Sequence, residues 1–316
     1  MSKLRYKLML ILIFAVTIGM AAEAEWGDLE ARYANIPSIT YDGETRRLKS
    51  RITSILLIGV DQREIEDTEE GKYRIGGQAD FQMLVVIDDD EKTVTPILIN
   101  RDAMVEIDVL NATGQLAGTR MSQICLAHSF GDGKERSCEL AITALSRLLL
   151  GTPIDHYLSM RLDGIAELND EIGGVEVTLE DDYSMYDPLM TKGKTLVLTG
   201  EQAEIFVRYR YDIGEGSNAY RLERQKVYME AAIRSIAARL DEQASYIMTL
   251  FDAVESYCVT DISRGNMLNL ANSAAEYELL PIITMEGEAV LGESGYIEFR
   301  VDENALLEIL AKTFYR

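Results

Sequence analysis

The segment SILLIGVD, residues 54–61, indicates the fold. Residues 54–60 form a continuous apolar run, which is typical of a strand buried within a sheet. Two further β-rich runs follow, QMLVVID at residues 82–88 and VTPILIN at residues 94–100, and a short acidic turn joins them. The three runs therefore predict a central sheet that contains a hairpin.

Helical and extended patterns alternate after this sheet. Apolar residues recur at helical spacing over residues 138–150, with Ser137 as the expected N-cap residue. Residues 156–161 and 175–179 predict strands, and the short helix expected between them covers residues 163–172. This alternation predicts an α/β fold with a three-layer α/β/α mixed sheet.

The second half of the chain continues the same pattern. Helices are predicted over residues 200–209 and 221–240, and two more helical patterns follow residue 243. Strands are expected near residues 279–285 and 296–301, before a last helix that Asp302 caps.

Three parts are predicted along the 316 residues. Lys3, Arg5 and Lys7 precede fifteen uncharged residues, so residues 1–25 resemble an export segment, either a membrane anchor or a cleaved signal peptide. Residues 26–50 are polar and predict a stalk, and residues 51–316 predict one extracytoplasmic domain. The expected location is the cell membrane, with a single pass, or the exterior if the segment is cleaved.

The charge of the chain excludes some partners. With 31 basic and 53 acidic residues, the net charge of −22 repels nucleic acid.

The three cysteines have no spacing that suits zinc, so buried, reduced thiols are expected, although a bridge between Cys125 and Cys138 is possible outside the cytoplasm. The chain also lacks the phosphate-loop, GxGxxG, GxSxG and HExxH motifs, which disfavours several enzyme classes.

Charged residues follow the predicted strands. Asp61 ends the first run, Asp80 precedes the second, and Arg101 and Asp102 come after the third. Open α/β sheets bind ligands at strand ends, so these side chains predict a site. Near a diphosphate, Asp61 and Asp80 would suit Mg²⁺, which prefers carboxylate and phosphate oxygens.

A cluster of arginines lies further along this acidic chain, together with a glutamine. If a helix begins near residue 218, its N-terminus favours an anion, and arginine side chains add bidentate hydrogen bonds to phosphate oxygens. The alternative is that these arginines form ordinary surface ion pairs with nearby glutamates. The cluster consists of Arg208, Arg210, Arg221, Arg224 and Gln225.

Several motifs, in this order, resemble the LytR-CpsA-Psr (LCP) family of bacterial cell-envelope phosphotransferases. They are LLIGVD (56–61), QAD (78–80), INRD (99–102), GTPIDHYLSMRLDG (151–164), IGGVEV (172–177), LTGEQAEIFVRYR (198–210), YRLERQ (220–225) and SGYIEFRVDENALLEIL (294–310). The resemblance covers nearly the whole exported part of the chain.

The resemblance implies an α/β/α fold with a hydrophobic lipid pocket and transfer of a glycopolymer from a polyprenyl-pyrophosphate carrier to peptidoglycan, assisted by Mg²⁺. It implies that Asp61 and Asp80 hold the metal. Arg101 and Asp102 are the expected catalytic residues, with Asp102 a candidate general base by position alone. The resemblance also implies that pyrophosphate is bound by Arg101, Arg208, Arg210, Arg221, Arg224 and Gln225.

The chain departs from the family pattern at four positions. Gln78 stands in place of an arginine, Phe81 and Ala103 in place of threonines, and Asn218 in place of an aspartate. Two alternatives to the transferase therefore stay open. One is a non-catalytic module that binds polyprenyl pyrophosphate or an anionic polymer, and the other is a hydrolase of the lipid pyrophosphate.

Overall fold

A mixed seven-stranded sheet forms the centre of the computed structural model, which describes residues 38–62, 76–209, 213–214, 216–242, 246–274 and 277–316. The predicted export segment and Arg210 lie outside these ranges. The sheet is built from β3 (Ile52–Val60), β4 (Ala79–Asp88), β5 (Thr93–Ile99), β8 (His156–Arg161), β11 (Cys258–Thr260), β12 (Glu278–Leu279) and β13 (Ile283–Thr284).

The strand order is β11-β8-β3-β4-β5-β12, and β13 also pairs with β5. β3 runs antiparallel to β4 and parallel to β8, while β4 and β5 form the predicted antiparallel hairpin. The first three apolar runs of the sequence are thus adjacent strands at the centre of the sheet.

The sequence of β3 is continuously apolar because both faces of the strand are buried. Ile55 and Leu57 belong to one hydrophobic core, whereas Leu56 and Ile58 belong to a second core on the opposite face. Successive side chains of a strand point to opposite faces, so a strand covered on both sides needs a continuous apolar sequence.

Helices cover both faces, which confirms the predicted three-layer α/β/α fold. The first core includes Phe206, Met229 and Phe251 from helices of the second half of the chain, and the second includes Leu145 and Leu310. The helices are α1 (Leu126–Ser129), α2 (Glu135–Leu148), α3 (Gly164–Glu171), α4 (Gly200–Arg208), α5 (Asn218–Glu242), α6 (Tyr246–Val254), α7 (Arg264–Ala274) and α8 (Glu303–Thr313).

Four two-stranded sheets and one short 3₁₀ turn (Glu255–Tyr257) complete the described structure. The strands of the small sheets are β1 (Ser38–Tyr41), β2 (Glu44–Arg47), β6 (Met104–Leu110), β7 (Leu116–Gln123), β9 (Val175–Thr178), β10 (Thr195–Leu198), β14 (Gly287–Leu291) and β15 (Ile297–Val301). The hairpin of β6 and β7 was not expected from the sequence. Its outer strand is almost wholly exposed and lacks apolar alternation.

The folded part begins earlier than the predicted boundary at residue 51. Residues 38–47 form the hairpin of β1 and β2, and both Ile39 and Leu48 are buried in the second core. Arg47 and Arg316 exchange backbone hydrogen bonds, so this hairpin is joined to the C-terminus. Residues 38–50 are polar apart from Ile39, Tyr41 and Leu48, and this composition predicted a stalk.

The start of α2 also differs from the prediction. Ser137 lies inside the helix, which begins at Glu135. Asp132 Oδ1 accepts hydrogen bonds from the backbone N–H groups of Lys134 and Ser137, so an aspartate earlier in the chain supplies the acceptor expected from Ser137. By contrast, Asp302 caps α8 as predicted, with bonds from Asn304 N and Ala305 N.

All three cysteines are buried and free, as expected. Within the described ranges, no helix has both the length and the apolar character that a membrane crossing requires.

Candidate functional site

One edge of the central sheet gathers the predicted site residues. Asp61 follows the end of β3, Asp80 is near the start of the antiparallel β4, and Arg101 follows the end of β5. A bulge lies at this edge, because Gly59 pairs with Phe81 whereas Val60 pairs with Ala79. Asp80 therefore has no partner in the ladder, and a bulge of this kind redirects the side chain of the extra residue.

Asp80 joins two of the predicted arginines. Its Oδ1 accepts a short hydrogen bond from Arg101 Nη1, and its Oδ2 accepts one of 2.9 Å from Arg221 Nη1. Arg101 also donates to Gln78 Oε1 at 2.6 Å and to Cys125 Sγ at 3.2 Å. Strands β4 and β5 and helix α5 are thus connected through one carboxylate.

Asp102 lies behind this pair and is only 2% exposed. Its Oδ1 accepts a hydrogen bond of 2.9 Å from Gln123 Nε2 and lies 3.5 Å from Arg101 Nε, and its Oδ2 accepts one from Asn218 Nδ2. Both carboxylate oxygens are therefore engaged with protein groups. A general base must reach the substrate hydroxyl, so this environment suits a positioning residue better.

Five side chains form a closed ring at the site, which we call the site ring. Arg221 Nη2 donates to Asn218 Oδ1 at 3.3 Å, and this contact links α5 back to Asp80. Each arginine of the ring pairs with at least one aspartate, which offsets the cost of holding Arg221 at 5% exposure. The site ring consists of Asp80, Arg101, Asp102, Asn218 and Arg221.

Arg208 lies beside the ring at the C-terminal end of α4. It donates to Asp61 Oδ1 at 2.9 Å and to Glu204 Oε1 at 3.2 Å. The side chains of Arg208 and Asp61 are 32% and 40% exposed, so both remain accessible. Helix α4 is well defined at its other end, where Thr199 and Gln202 form a capping box.

Arg224 and Gln225 contact the C-terminal end of α4. Arg224 donates to the carbonyls of Phe206 and Tyr209, and Gln225 donates to that of Val207. The last carbonyls of a helix have no partner within it, so these buried side chains satisfy the end of α4. Through these contacts they help to position Arg208, and the predicted contact of both side chains with pyrophosphate stays a prediction.

The electrostatic environment keeps Arg101 charged. Burial by itself lowers the pKa of Arg101, but the neighbouring Cys125, Asp80 and Asp102 raise it above its ordinary value. Burial raises the pKa of the Cys125 thiol to about 11, only partly opposed by Arg101. Cys125 is therefore a neutral thiol beside a permanent cation at neutral pH.

The residues fit a magnesium ion chemically. Asp61 and Asp80 supply two hard carboxylate groups at one sheet edge, and Mg²⁺ in phosphate sites takes one or two carboxylates together with phosphate oxygens and water. Among the described residues, no cluster of three or more metal-ligating side chains occurs, so a metal here would depend on ligands from the substrate.

An apolar pocket lies on the α5 side of the same edge. Its walls come from β3, β4, β8, α3, α4 and α5, and Gln225 is its one polar side chain among the described residues. The lining residues include Leu57, Phe81, Met160, Val207, Tyr228 and Met229. The pocket meets the arginine-bearing part of α5, so an apolar chain and an anionic group could be bound side by side.

Sequence reasoning missed two members of this arrangement. Gln123, on the unexpected strand β7, bridges Asp102 and the carbonyl of Ile297. Cys125 contacts Arg101. No pattern in the sequence marks either residue, whereas Asn218 stood out through its departure from the family pattern.

The profile of the LytR_cpsA_psr family matches residues 29–314. A polyisoprenyl-teichoic acid–peptidoglycan teichoic acid transferase, TagU of Enterococcus faecalis, is 25% identical over 308 residues, which are 95% of this chain and 92% of the relative.

Two solved structures share the fold. Protein gbs0355 from Streptococcus agalactiae superposes with a TM-score of 0.66 at 22% identity, over 84% of this chain and 87% of that protein. A structure of TagT bound to LI-WTA gives a TM-score of 0.61 at 21% identity, over 89% and 96% of the two chains.

Proposed function

The chain belongs to the LytR_cpsA_psr family, and from this premise we propose that it transfers a glycopolymer from a polyprenyl-pyrophosphate carrier to peptidoglycan. The observation that carries the proposal is the site ring, where Arg101 and Arg221 converge on Asp80 next to an apolar pocket. A lipid pyrophosphate needs these two environments together, because its chain is apolar and its head group is anionic.

The arginines would hold the pyrophosphate in place. Arg208 is partly exposed and Arg101 stays protonated, so both offer guanidinium N–H groups to phosphate oxygens. Arg221 would stabilise the same group from α5, and we retain Arg210 as a further candidate. Donors fixed before the reaction stabilise developing charge more strongly than mobile solvent does.

The reaction is a phosphoryl transfer. A sugar hydroxyl of the acceptor forms a bond to the phosphorus that carries the glycopolymer, and the bond from that phosphorus to the bridging pyrophosphate oxygen breaks. Polyprenyl phosphate leaves, and the hydroxyl proton passes finally to water. Arg101 would stabilise charge on the transferred group, and Asp102 would orient Arg101 from behind.

We propose that Asp61 and Asp80 hold Mg²⁺ once the pyrophosphate is bound. When present, the ion would neutralise negative charge on the phosphate oxygens. In the structure, Arg208 pairs with Asp61, and both Arg101 and Arg221 pair with Asp80. The substrate oxygens would therefore take over arginine donors that Asp61 and Asp80 now accept.

We also propose that residues 1–25 deliver the domain to the outer surface of the cell membrane, as an anchor or as a cleaved signal. Three basic residues before an uncharged stretch support this location. A membrane-attached domain would meet its lipid-linked donor at the bilayer surface, and the peptidoglycan acceptor lies on the same side.

The full-length chain, purified in detergent, provides the test with a glycan-charged polyprenyl pyrophosphate, a soluble peptidoglycan acceptor and Mg²⁺. We expect release of polyprenyl phosphate with the glycan joined to the acceptor. Arg101→Ala should lower kcat/KM by at least about a hundredfold, the usual cost of removing one fixed donor to a transition state.

Arg136→Ala is the matched control, since Arg136 is a partly exposed arginine on α2 that pairs with its neighbour Glu139. Binding of the donor without turnover would favour the non-catalytic module. Phosphate release that needs no acceptor would favour the hydrolase. Full activity of Arg101→Ala would contradict the proposed role of the site ring.

A further inference from the structure

A second cavity, of about 190 Å³, opens on the other side of the β3 end. Val60 and Gln62 line it, and Val60 packs in the core on the α2 side. Asp61, which lies between them in the chain, contacts Arg208 on the α4 side. The cavity and the arginine site are thus separated by the backbone of a single strand end.

The lining of this cavity is polar and mixed in charge. Arg161, at the end of β8, and Lys134, before α2, provide cationic groups, whereas Glu135 provides a carboxylate. The hydroxyl groups of Ser159 and Ser256 and the amide of Gln62 can both donate and accept hydrogen bonds. The cavity therefore presents donors and acceptors together.

Arg161 forms a fixed wall of the cavity. Its guanidinium carbon lies 5.3 Å from the centre of the Tyr257 ring, and its nitrogens donate to Asp163 and to the carbonyl of Ser256. The Arg161 guanidinium and the Tyr257 ring thus form one side of the cavity together. Lys134 also lines the cavity, and its ammonium group can donate hydrogen bonds to a ligand.

This chemistry selects among ligand classes. An apolar chain would leave the Lys134 ammonium and the hydroxyl groups without polar contacts, and Glu135 opposes the binding of a simple anion. A sugar ring carries hydroxyl groups that both donate and accept, so it matches the mixed lining. The volume corresponds to about six water molecules, at about 30 Å³ each, which is the scale of one monosaccharide.

We propose that this cavity binds one sugar ring of the acceptor glycan and presents the adjoining hydroxyl, across the β3 end, to the phosphoryl group held by the arginines. This inference rests on the proposed function and names the acceptor subsite for it. Donor and acceptor would then approach the same sheet edge from opposite faces, Asp61 lying between them.

Direct binding tests the inference without requiring turnover. The full-length chain in detergent is titrated with soluble N-acetylglucosamine–N-acetylmuramic acid fragments, and binding is followed by saturation-transfer NMR and calorimetry. Ser256 is exposed at the cavity, so Ser256→Trp should fill it without disturbing the core. We expect the Kd for the fragments to rise at least about tenfold, or about 1.4 kcal/mol.

Thr249→Trp is the matched control, because Thr249 is exposed on α6 and does not line the cavity. A milder pair compares Lys134→Ala with Lys192→Ala, both exposed lysines of which only Lys134 lines the cavity. Lys134→Ala should weaken fragment binding severalfold, and Lys192→Ala should not. Donor affinity should stay within about twofold of wild type in all four variants.

The inference is overturned if the wild-type chain does not bind the fragments, or if Ser256→Trp and Lys134→Ala bind them as well as their controls do. Neither result depends on catalysis. Failure of the wild-type chain to release polyprenyl phosphate, with fragment binding and its loss in Ser256→Trp intact, would count against the proposed transferase and leave the glycan site standing.

Discussion

Asp80 organises the site at the scale of single residues. Its two carboxylate oxygens bind different arginines, one from the end of a strand and one from a helix. An arginine pair held this way is already in place before a phosphate arrives, so little conformational entropy remains to be lost on binding. Asp102 and Asn218 complete the arrangement from behind.

Asn218 keeps the site ring free of a second carboxylate next to Asp102. In Asn218→Asp, the new carboxyl group would lie at hydrogen-bond distance from Asp102, and repulsion would raise the pKa of one of the pair. When the pKa of that carboxyl group is higher in the folded than in the unfolded state, its protonation stabilises the folded state. Stability of this variant should therefore fall as pH rises through that pKa, relative to wild type.

Thermal melts at pH values from about 4 to about 8, in steps of about one unit, would measure this effect. Asn218→Ala is the control, because it removes the same hydrogen bond without adding charge. An equal response to pH in the two variants would show that Asp102 does not sense the charge at this position.

The cysteines give a second prediction at this scale. Burial raises the pKa of the Cys125 thiol to about 11, and burial also raises that of Cys138. At pH 8, only about one Cys125 thiol in a thousand would be ionised. Ellman's reagent should therefore label the folded chain very slowly and the urea-unfolded chain rapidly, and fast labelling when folded would contradict the burial of all three thiols.

At the scale of elements, the end of α4 depends on a side chain from α5. Arg224 donates to two carbonyls there and stacks over Tyr183 at 5.7 Å. Helix α4 carries Arg208 as its last residue, so the packing of these two helices determines where that guanidinium lies. The structure thus gives Arg224 a packing role at the end of the helix that carries Arg208.

Arg224→Met tests this role by keeping much of the apolar volume and removing the donors. The free energy of unfolding should fall by about 2–3 kcal/mol, since buried carbonyls lose their partners. Urea denaturation measures the loss, and Glu223→Ala, at an exposed position on the same helix, is the control. A variant as stable as wild type would show that these carbonyls find other partners.

At the scale of the whole molecule, the first hairpin of the described structure is bonded to the C-terminal residues. The hairpin of β1 and β2 packs beside α8, and Lys49 donates a backbone hydrogen bond to the Phe314 carbonyl. Helix α8 in turn contributes Leu306 and Leu310 to the second core. Residues 38–48 therefore belong to the same cooperative unit as the sheet.

Truncation provides the matching prediction. A chain that begins at residue 51 lacks Ile39 and Leu48 and should lose several kcal/mol of stability, because each buried aliphatic side chain contributes about 1.5–3 kcal/mol. A chain that begins at residue 38 retains both. Calorimetric melts of the two truncated chains should differ clearly, and equal melting temperatures would place the hairpin outside the folding unit.

The amino-acid sequence by itself determined the central strands, the alternation with helices and the strand ends that carry Asp61 and Arg101. These features depend on local periodicity and on burial from both faces, which a run such as residues 54–60 expresses directly. The cap at Asp302 was equally predictable, because its hydrogen bonds span at most three residues.

Only the tertiary structure decided how the polar residues are paired. Asp80 and Arg221 are 141 positions apart in the chain, and Gln123 reaches Asp102 from a hairpin with no sequence signal. Arg224 turns towards carbonyls because the buried end of α4 offers unsatisfied acceptors there. A sequence pattern indicates which side chains can bind an anion, but partners brought together by folding determine which of them are free to do so.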